Sequence, residues 1–375
     1  MRILVDATPL FPLKRTYGPT GIGRWISGCV SALGRLEPNW TIDLVIASRS
    51  ALPRDDSWPS NVALRRIQLP ARPYRFLRHL RLLPPIEWLV GPAAVVLGSN
   101  YIPPRARDAV EIPVIYDLSF IRYPETVSRH HLFLRTILPG VIRRSSAVLT
   151  ISQTIRAEIT VHYGIEPGRI HVVGPGCDLD RFDGDPRPEE SIPNLPDEYF
   201  LFVGTLEPRK NLRGLLEAYA TLKKQEPDCP PLVLAGGVGW RVRDLLANLR
   251  ALSSSEVITL GYVPDHLIPV LYARALALVF PSFYEGFGLP ALEAMASGCP
   301  VIGSNRSAIP EVLGDCGLLV DPYDSASIAA AMKRILDDAS LRAQLSQKGR
   351  NRARSFTWER TGRELRDVLA LVTGR

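Results

Sequence analysis

Short runs of apolar residues alternate with longer amphipathic segments along most of the chain. In the first half, apolar runs predict strands at residues 2–6, 42–47, 95–97, 114–116, 147–151 and 170–173, and an amphipathic segment predicts a helix at residues 23–36. In the second half, strands are predicted at residues 199–203, 232–235, 257–260, 276–280 and 301–302, with helices at 212–224, 243–252 and from residue 290. Strands separated by helices pair in parallel with right-handed crossovers. The pattern therefore predicts an α/β fold with two doubly wound units.

An acidic, proline-bearing stretch at residues 178–196 separates the two sets of elements and is typical of a linker between domains. We therefore predict one domain at residues 1–182, a second at residues 183–355 and a final helix at residues 356–375. Ligands of doubly wound sheets bind beyond the carboxyl ends of the strands, and two such units leave a cleft between them. We expect the binding residues in the loops that face this cleft.

The composition is that of an ordinary globular protein, with 46% hydrophobic residues. The first residues lack the apolar core of a signal peptide, and no apolar run approaches the about 20 residues that span a bilayer. Five cysteines are scattered without a C-x-x-C pair, which argues against a disulfide framework or a zinc site and fits a reducing compartment. We expect a cytoplasmic protein.

The net charge of +7 is unevenly distributed between the two halves. Residues 1–182 contain 23 lysines and arginines against 14 acids, and only one of these basic residues, Lys14, is a lysine. Arginine binds phosphate groups through its forked guanidinium. Nucleic acid, anionic lipid and a phosphorylated acceptor are all compatible with this charge.

Two carboxylates flank a glycine turn in the stretch at residues 280–293. Glu285 precedes Gly286 and Gly288, and Glu293 lies in the first turns of the helix predicted from residue 290. A strand, a glycine turn and a helix start leave backbone N–H groups pointing outward, which favours an anion. The two acids suit the hydroxyls of a sugar nucleotide whose diphosphate lies on the turn. The alternative is that Glu293 is a solvated acid that favours the helix dipole.

The stretch from Glu285 to Ile302 resembles the E-x7-E signature of family 4 of the retaining glycosyltransferases. The resemblance covers most of the chain and implies the GT-B fold, with two facing Rossmann-like domains and a final helix that crosses back to the first domain, where Trp358 is placed to anchor it. It implies that the first domain faces the acceptor, that the second binds the nucleotide sugar and that no metal or other cofactor takes part. It also implies that Glu285 contacts donor-sugar hydroxyls and that Glu293 binds ribose hydroxyls. The turn implied to hold phosphate consists of Gly286, Phe287, Gly288 and Leu289.

The loop at residues 204–211 follows a predicted strand and contains adjacent basic residues, Arg209 and Lys210. Such a junction is a plausible diphosphate clamp, and an exposed basic turn is the alternative. The loop resembles the basic segment of the family, in which Lys210 matches a lysine on the donor phosphates. Many members have arginine where this chain has Thr205, so we expect Arg209 to supply the second positive charge. The form of this loop resembles bacterial polysaccharide mannosyltransferases in particular.

Three other segments match family loops. Gly21 and Gly23 lie in a loop that resembles the first-domain glycine loop near the transferred sugar, and their spacing does not complete a dinucleotide fingerprint. Tyr116 and Asp117 stand where related enzymes usually have His-Asp, so the tyrosine weakens any case for a side-chain base. Tyr262 and Val263 resemble the loop that reads the nucleotide base. We include all of these residues among the candidate site residues.

Two further segments leave alternatives open. Asp178 and Asp180 form a D-x-D pattern within the predicted linker, where a metal role is the less favoured interpretation. Residues 72–83 separate on a helical wheel into an apolar side (Phe76, Leu77, Leu80, Leu83) and an arginine side (Arg75, Arg78, Arg81). Such a segment is typical either of a helix on an anionic membrane surface or of an ordinary surface helix packed on its own core.

We therefore expect a metal-independent hexosyltransferase acting in the biosynthesis of surface polysaccharide such as lipopolysaccharide, with mannose from GDP-mannose as the best candidate donor. The expected partners are a nucleotide-diphosphate sugar and a glycan or lipid-linked glycan acceptor, with peripheral contact to anionic membrane as an open possibility and no nucleic acid. One alternative is another nucleotide-sugar enzyme on the same scaffold, such as an epimerase or hydrolase. The other is a non-catalytic binding protein that uses the basic first half.

Overall fold

The computed structural model describes residues 1–11, 20–48, 58–182, 192–193, 195–240 and 256–374. The chain divides into two compact units. The first comprises Met1–Ile121, Arg129–Gly176 and Thr357–Arg375, and the second comprises Arg122–Ser128 and Cys177–Phe356. The division after Gly176 lies six residues before the expected boundary at residue 182, and the segment Arg122–Ser128 joins the second unit from within the first half of the sequence.

The first unit contains a seven-stranded parallel sheet in the order β3-β2-β1-β4-β5-β6-β7. Its strands are β1 (Arg2–Asp6), β2 (Thr41–Ala47), β3 (Val62–Ile67), β4 (Val95–Gly98), β5 (Val110–Ile115), β6 (Val148–Thr150) and β7 (Ile170–Val172). The central strands are apolar on both faces because helices cover both sides of a parallel sheet. The helices before the interdomain segment are Gly21–Leu36, Ala71–His79, Glu87–Val90, Ser119–Arg122, Arg129–Leu132, Leu134–Arg144 and Gln153–Tyr163.

The last helix, Trp358–Thr373, packs on the helix Gly21–Leu36 of the first unit. The Trp358 ring lies directly against Gly28, where an added Cβ atom would stand 2.3 Å from ring atoms Cε3 and Cζ3. The Thr361 hydroxyl donates to the Gly174 carbonyl oxygen at 2.7 Å. The absence of a side chain at Gly28 therefore allows the final helix to lie close to the first.

We expect Gly28→Ala to destabilise the first unit, whereas Gly140→Ala, in the helix Leu134–Arg144, stabilises it. Alanine favours a helix over glycine by about 1 kcal/mol at both positions. At Gly28 that gain is outweighed by overpacking against Trp358, which costs about 1–3 kcal/mol. At Gly140 the nearest atom to a new Cβ, Nη1 of Arg144, is 3.5 Å away. Thermal unfolding and hydrogen exchange in residues 358–373 measure the difference, and equal stability of the two variants would contradict it.

The second unit contains a six-stranded parallel sheet in the order β10-β9-β8-β11-β12-β13. Its strands are β8 (Tyr199–Val203), β9 (Leu232–Ala235), β10 (Val257–Gly261), β11 (Ala275–Phe280), β12 (Val301–Ser304) and β13 (Leu318–Val320). Its helices are Leu179–Phe182, Leu212–Gln225, Ile268–Arg274, Leu289–Ala296, Ile309–Leu313, Ser325–Asp337 and Ala339–Ala353. The two adjacent central strands, β8 and β11, end at one edge of the sheet, so the loops that follow them lie side by side.

The structure differs from the predicted elements in a few places. Strands β3 and β13 were not predicted: β3 exposes Arg65 and Arg66, and β13 has only three residues, so neither has a clear apolar run. The helix predicted at residues 243–252 lies outside the described residues. Within residues 72–83, one residue of the expected arginine side lies in the interior, since Arg78 is 2% exposed, whereas Phe76 of the expected apolar side is 62% exposed. The ion pair between Arg78 and Asp6 explains this burial.

Candidate functional site

The basic loop after β8 and the glycine turn after β11 meet at the carboxyl edge of the second sheet. The Phe283 amide donates to the Arg209 carbonyl oxygen at 3.0 Å, which joins the two loops through their backbones. Asn211 strengthens the junction: its side-chain amide donates to the carbonyl oxygens of Pro281 and Pro322 at 3.2 and 2.6 Å. Asn211 also caps the helix Leu212–Gln225 from a left-handed conformation, with φ 55°. The loops are thereby held in one fixed arrangement.

This arrangement brings together three of the predicted site residues, Glu285, Lys210 and Arg209. The Lys210 ammonium donates to Oε1 of Glu285 at 2.6 Å, and Nη1 of Arg209 donates to Oε2 of the same carboxylate at 3.0 Å. Nη2 of Arg209 donates to Glu207 at 2.7 Å, and the Lys210 ammonium lies 4.8 Å from the Phe280 ring centroid. Glu207 was not among the expected residues, because a lone acid in a loop gives no signal of burial. Two acids and two cations thus form one compact, largely buried network.

The network determines the protonation state of Glu285. Burial by itself would raise the pKa of this carboxyl group, but the positive charges of Arg209 and Lys210, with hydrogen bonds from Lys210 and Ser282, lower it from 4.5 to about 2. Glu285 is therefore ionised at neutral pH. It accepts hydrogen bonds and does not supply a proton, which fits a residue that binds hydroxyl groups.

Because the pKa of Glu285 is lower in the folded than in the unfolded chain, its ion pairs stabilise the fold fully above the unfolded pKa of 4.5. This contribution, on the order of 3 kcal/mol, is lost as the pH falls from 4.5 toward 2. We expect Glu285→Gln to remove that part of the acid sensitivity, so that the stability of the variant falls less steeply over this range. Urea unfolding at a series of pH values measures the slope, and parallel curves for the two proteins would contradict the expectation.

The glycine turn after Glu285 leads directly into the helix Leu289–Ala296. Gly288 precedes the helix at φ 115°, and a Cβ atom there would stand 2.6 Å from Cδ1 of Ile309. No side chain caps this helix start among the described residues. Pro290 has no N–H group, and the amides of Ala291 and Leu292 donate to the Gly288 carbonyl oxygen at 3.0 and 3.2 Å, so the helix start favours an anion through the positive end of its dipole. Ser307, which sequence reasoning missed, fixes the backbone of Glu285 by accepting from its N–H at 3.0 Å and donating to its carbonyl oxygen.

Phe287 in the turn and Glu293 in the following helix contribute to the candidate site in different ways. The Phe287 ring packs edge-to-face on Phe356, with centroids 5.9 Å apart, so its side chain belongs to the interior and only its backbone faces the turn. Glu293 is 6% exposed on the helix Leu289–Ala296 and accepts from the Tyr272 hydroxyl at 3.3 Å. Tyr272 therefore orients the carboxylate that the sequence assigns to ribose hydroxyls. Sequence reasoning missed Tyr272, which gave no signal in an apolar helix.

Thr205, Tyr262 and Val263 lie in loops after β8 and β10 of the same sheet. Thr205 is exposed, Tyr262 is 40% exposed and Val263 is buried. They occupy the same edge of the sheet as the charge network, since each follows the carboxyl end of a parallel strand.

The first-unit candidates stay predictions, and the structure gives the local contacts of Tyr116. The Tyr116 side chain is 4% exposed, donates to the Ser99 carbonyl oxygen at 3.0 Å and lies edge-to-face with Trp25 and Tyr101. Burial, the first cause, raises its pKa well above the usual value. Its hydroxyl is thus engaged in the protein interior.

Asp117 and the two early glycines have local structural contacts. The Asp117 carboxylate accepts from the Ser119 amide at 2.9 Å and the Ser119 hydroxyl at 2.7 Å, which caps the helix Ser119–Arg122. Gly21 and Gly23 lie in the first turn of the helix Gly21–Leu36, where the Gly23 amide donates to the capping Thr20 hydroxyl at 3.2 Å. The preceding residues 12–19 lie outside the described residues. The two glycines therefore form a helix start, which suits an anion.

A group of aromatic residues beside Glu285 was not found from the sequence. Tyr123, from the segment Arg122–Ser128, stacks on Phe283 with a centroid distance of 6.4 Å and contacts Tyr284 at 5.6 Å. Its hydroxyl is 3.2 Å from that of Tyr323, and the Thr126 carbonyl oxygen accepts from Trp240 at 2.7 Å. Tyr123 is 160 residues from Phe283 in the sequence. Only packing within the second unit brings the two rings together.

In residues 1–11, 20–48, 58–182, 192–193, 195–240 and 256–374, no group of three or more His, Cys, Asp or Glu residues is placed to hold a metal ion. Asp178 and Asp180 are both exposed there. Over the same part of the chain, no helix is long and apolar enough to cross a bilayer.

Family models match almost the whole chain in two parts. The model described as Glycosyltransferase Family 4 matches residues 21–181, and the model described as Glycosyl transferases group 1 matches residues 186–352. The second match contains the charge network and the glycine turn. The two matches together divide the chain near residue 182.

Several proteins resemble the chain in sequence or fold. O-antigen chain mannosyltransferase B of Escherichia coli is 39% identical over 273 residues, which are 70% of each chain. The serotype-specific mannosyltransferase WbdA of Escherichia coli is 32% identical over 226 residues, 58% of this chain and 28% of that protein.

Solved structures with low identity share the fold. Sucrose-phosphate synthase of Thermosynechococcus elongatus superposes with a TM-score of 0.77 at 20% identity, covering 100% of this chain and 99% of that one. WaaG, a glycosyltransferase involved in lipopolysaccharide biosynthesis, gives a TM-score of 0.71 at 19% identity over 100% of both chains. The assignment of the chain rests on three findings: the two Rossmann-like sheets, the two family models, and the extent of the match to the Escherichia coli relative. The chain belongs to the family 4 glycosyltransferases and has the GT-B fold.

Proposed function

We propose that this glycosyltransferase transfers mannose from GDP-mannose, with retention of the anomeric configuration, to a growing surface polysaccharide or lipid-linked glycan. The name of the Escherichia coli relative that is 39% identical, an O-antigen chain mannosyltransferase, supports the sugar and the acceptor class. The observation that carries the proposal is the ionised Glu285 carboxylate, held by Lys210 and Arg209 beside the helix start at Gly288.

In the proposed reaction, the bond from the anomeric carbon to the diphosphate oxygen breaks and a bond to the acceptor hydroxyl oxygen forms. The negative charge that develops on the diphosphate is stabilised by Lys210, Arg209 and the positive end of the dipole of the helix Leu289–Ala296. Glu285 accepts hydrogen bonds from hydroxyls of the donor sugar, since its low pKa keeps it ionised. Glu293 accepts from the ribose hydroxyls in the position that Tyr272 supports.

A proton must leave the acceptor hydroxyl as the new bond forms. Tyr116, the residue at the usual histidine position, has its hydroxyl bonded to the Ser99 carbonyl oxygen and a raised pKa. It is therefore a poor base at neutral pH. We propose that the departing diphosphate oxygen takes this proton, so that the reaction depends on stabilising the leaving group more than on a side-chain base. All five cysteines are buried and none of them forms a disulfide, which favours a reducing compartment such as the cytoplasm for the reaction.

A donor panel tests the proposal. A bound donor raises the apparent melting temperature by mass action, so GDP-mannose is expected to raise it more than UDP-glucose or ADP-glucose at equal concentration. Transfer of labelled mannose to a mannose-terminated acceptor should then give an α-linked product, which NMR of the anomeric proton identifies. A larger shift and faster turnover with a UDP-sugar would replace the mannose assignment. Release of free sugar at the same rate without acceptor would instead favour a hydrolase.

A further inference from the structure

A row of partly exposed aromatic side chains extends from the loop of Glu285 to the turn that follows β13. It consists of Tyr123, Phe283 and Tyr323, which all belong to the second unit, and we call it the aromatic row. The ring centroids of Phe283 and Tyr323 are 4.9 Å apart, and those of Phe283 and Tyr123 are 6.4 Å apart. Tyr323 is 59% exposed, and the other two side chains are half-buried. None of the donor contacts proposed above involves these rings.

The turn that carries Tyr323 is fixed to the neighbouring loops. The Asp321 carboxylate accepts from the Tyr323 amide at 3.0 Å and forms an ion pair with Arg306 at 3.5 Å. The Arg306 guanidinium lies 5.1 Å from the Tyr323 ring centroid. The Pro322 carbonyl oxygen accepts at 2.6 Å from the side-chain amide of Asn211, which belongs to the basic loop. An exposed ring that is held in this way suits binding, because little conformational entropy is lost when a ligand packs on it.

The aromatic row combines ring faces with hydroxyl groups, which is the chemistry that recognises a pyranose. The C–H groups on one face of a sugar ring are apolar and slightly positive, so they match the negative face of an aromatic ring. The hydroxyl oxygens of Tyr123 and Tyr323 are 3.2 Å apart, and only one of their two hydrogen atoms can lie between them. Burial, with the hydrogen bond to Tyr323, raises the pKa of Tyr123 to about 12, so its hydroxyl keeps its proton at neutral pH. The pair therefore offers an O–H donor and oxygen lone pairs to sugar hydroxyls.

The strand order indicates which sugar the aromatic row binds. Neighbouring strands are about 4.8 Å apart, so the order β11-β12-β13 places the turn of Tyr323 about 10 Å from the loop of Glu285. The loop after β10, which contains Tyr262, lies at the opposite end of the sheet. A donor whose base lies at that loop and whose sugar lies at Glu285 leaves the β13 end to the acceptor. One sugar residue fits in the space between Glu285 and Tyr323, so the row lies where the second sugar of the acceptor is expected.

Other occupants fit the aromatic row less well. A nucleobase also stacks on aromatic rings, but the loop proposed for the base lies at the other end of the sheet. A second copy of the chain or another protein needs a larger surface. A complete aromatic side chain buries about 150–250 Å², so three partly buried rings offer much less than the about 800 Å² that each partner contributes to a stable interface. A sugar ring is small enough to be held by one exposed tyrosine and the groups beside it.

We propose that the aromatic row is an acceptor subsite in which Tyr323 stacks on the second sugar of the acceptor glycan, counted from the residue that receives the transferred sugar. The hydroxyls of Tyr123 and Tyr323 exchange hydrogen bonds with hydroxyls of that sugar, and Arg306 positions the Tyr323 ring. The subsite rests on the proposed transfer to a glycan. It adds a contact from the second unit to the acceptor side, which the family resemblance assigns to the first domain. It makes a chain end of two or more sugars a better acceptor than a single sugar.

Acceptor length measures the contribution of this subsite. For the wild type, we expect kcat/KM with α-linked mannobiose to exceed that with methyl α-mannoside by about 10-fold, because only the disaccharide reaches Tyr323. Tyr323→Ser should lose this gain, so that it uses the two acceptors about equally, while the donor still raises its melting temperature. Tyr323→Trp keeps an aromatic face and should retain most of the gain. Leu371→Ser is the control: Leu371 is 67% exposed in the last helix, and its replacement should keep the full gain.

Binding of mannobiose without donor separates this proposal from the proposed function. In a titration followed by saturation-transfer difference NMR, Tyr323→Ser should bind mannobiose at least about 10-fold more weakly than the wild type. If the wild type binds mannobiose through Tyr323 but transfers no sugar, the proposed function fails and the subsite stands. If Tyr323→Ser keeps both the length gain and the wild-type affinity, the subsite is wrong even where transfer is observed. A wild type that neither binds mannobiose nor prefers it to methyl α-mannoside overturns the subsite as well.

Discussion

Glu285→Gln should lower kcat/KM for sugar transfer by roughly 100-fold while the protein stays folded. A hydrogen bond to a charged group contributes about 1.5–3 kcal/mol, so each sugar hydroxyl that loses the carboxylate lowers the rate by roughly 10- to 100-fold. The glutamine is the same size as the glutamate, but the change also removes the negative charge that positions Lys210 and Arg209. Steady-state kinetics of mannose transfer from GDP-mannose measure the effect.

The control for this variant is Glu226→Gln. Glu226 also pairs with a lysine, Lys333, but at a surface position where both side chains are 38% exposed. Surface ion pairs contribute about 0–1 kcal/mol, so this change should leave transfer unaffected. Circular dichroism and thermal unfolding confirm that both variants are folded. Turnover by Glu285→Gln within threefold of wild type would remove Glu285 from the proposed donor site.

The second large effect is expected for Gly288→Val. The backbone at Gly288 has φ 115°, and a new Cβ atom would stand 2.6 Å from Cδ1 of Ile309. A β-branched residue in that conformation costs about 1–3 kcal/mol, and the overlap with Ile309 adds about 1–3 kcal/mol. The turn would shift, and the helix start would move away from the position proposed for the diphosphate. We expect loss of the donor-induced rise in melting temperature together with a lower melting temperature of the free protein.

Gly261→Ala is the control for Gly288→Val, because it tests the effect of a positive φ on stability without any steric overlap. Gly261 also has a positive φ, 67°, but no atom lies within 4 Å of its added Cβ. The change should cost only about 1 kcal/mol and leave turnover close to wild type. If Gly288→Val binds donor as tightly as Gly261→Ala does, the helix start does not contact the diphosphate.

The sequence was informative wherever a local pattern determines local structure. The apolar runs predicted most strands of both sheets, and the order of strand, loop and helix placed Lys210 and Glu285 at one edge of the second sheet. The adjacency of those two side chains follows from parallel pairing of β8 with β11. A sequence-only argument thus reached the central contact of the candidate site, because the contact depends on topology and loop position alone.

The rest depends on packing that no short segment encodes. The depressed pKa of Glu285 depends on its burial and on the position of Arg209 in space. Tyr116 occupies the end of a strand, as expected, but whether its ring faces solvent is decided by Trp25 and Tyr101, which come from other parts of the chain. The orientation of the helix Ala71–His79 about its own axis also depends on tertiary contacts. The ion pair with Asp6 places Arg78 in the interior, whereas the helical wheel places it on the polar side.

The segment Arg122–Ser128 and the helix Trp358–Thr373 have a consequence for protein engineering. Each unit is completed by a piece of chain from the other side of the boundary near Gly176. A single crossover there, used to exchange specificity with a relative, would combine Tyr123 of one parent with Phe283 and Tyr323 of the other, and Gly28 of one with Trp358 of the other. Chimeras should therefore exchange each unit with its distant piece, through four junctions rather than one, so that both interfaces keep residues of a single parent.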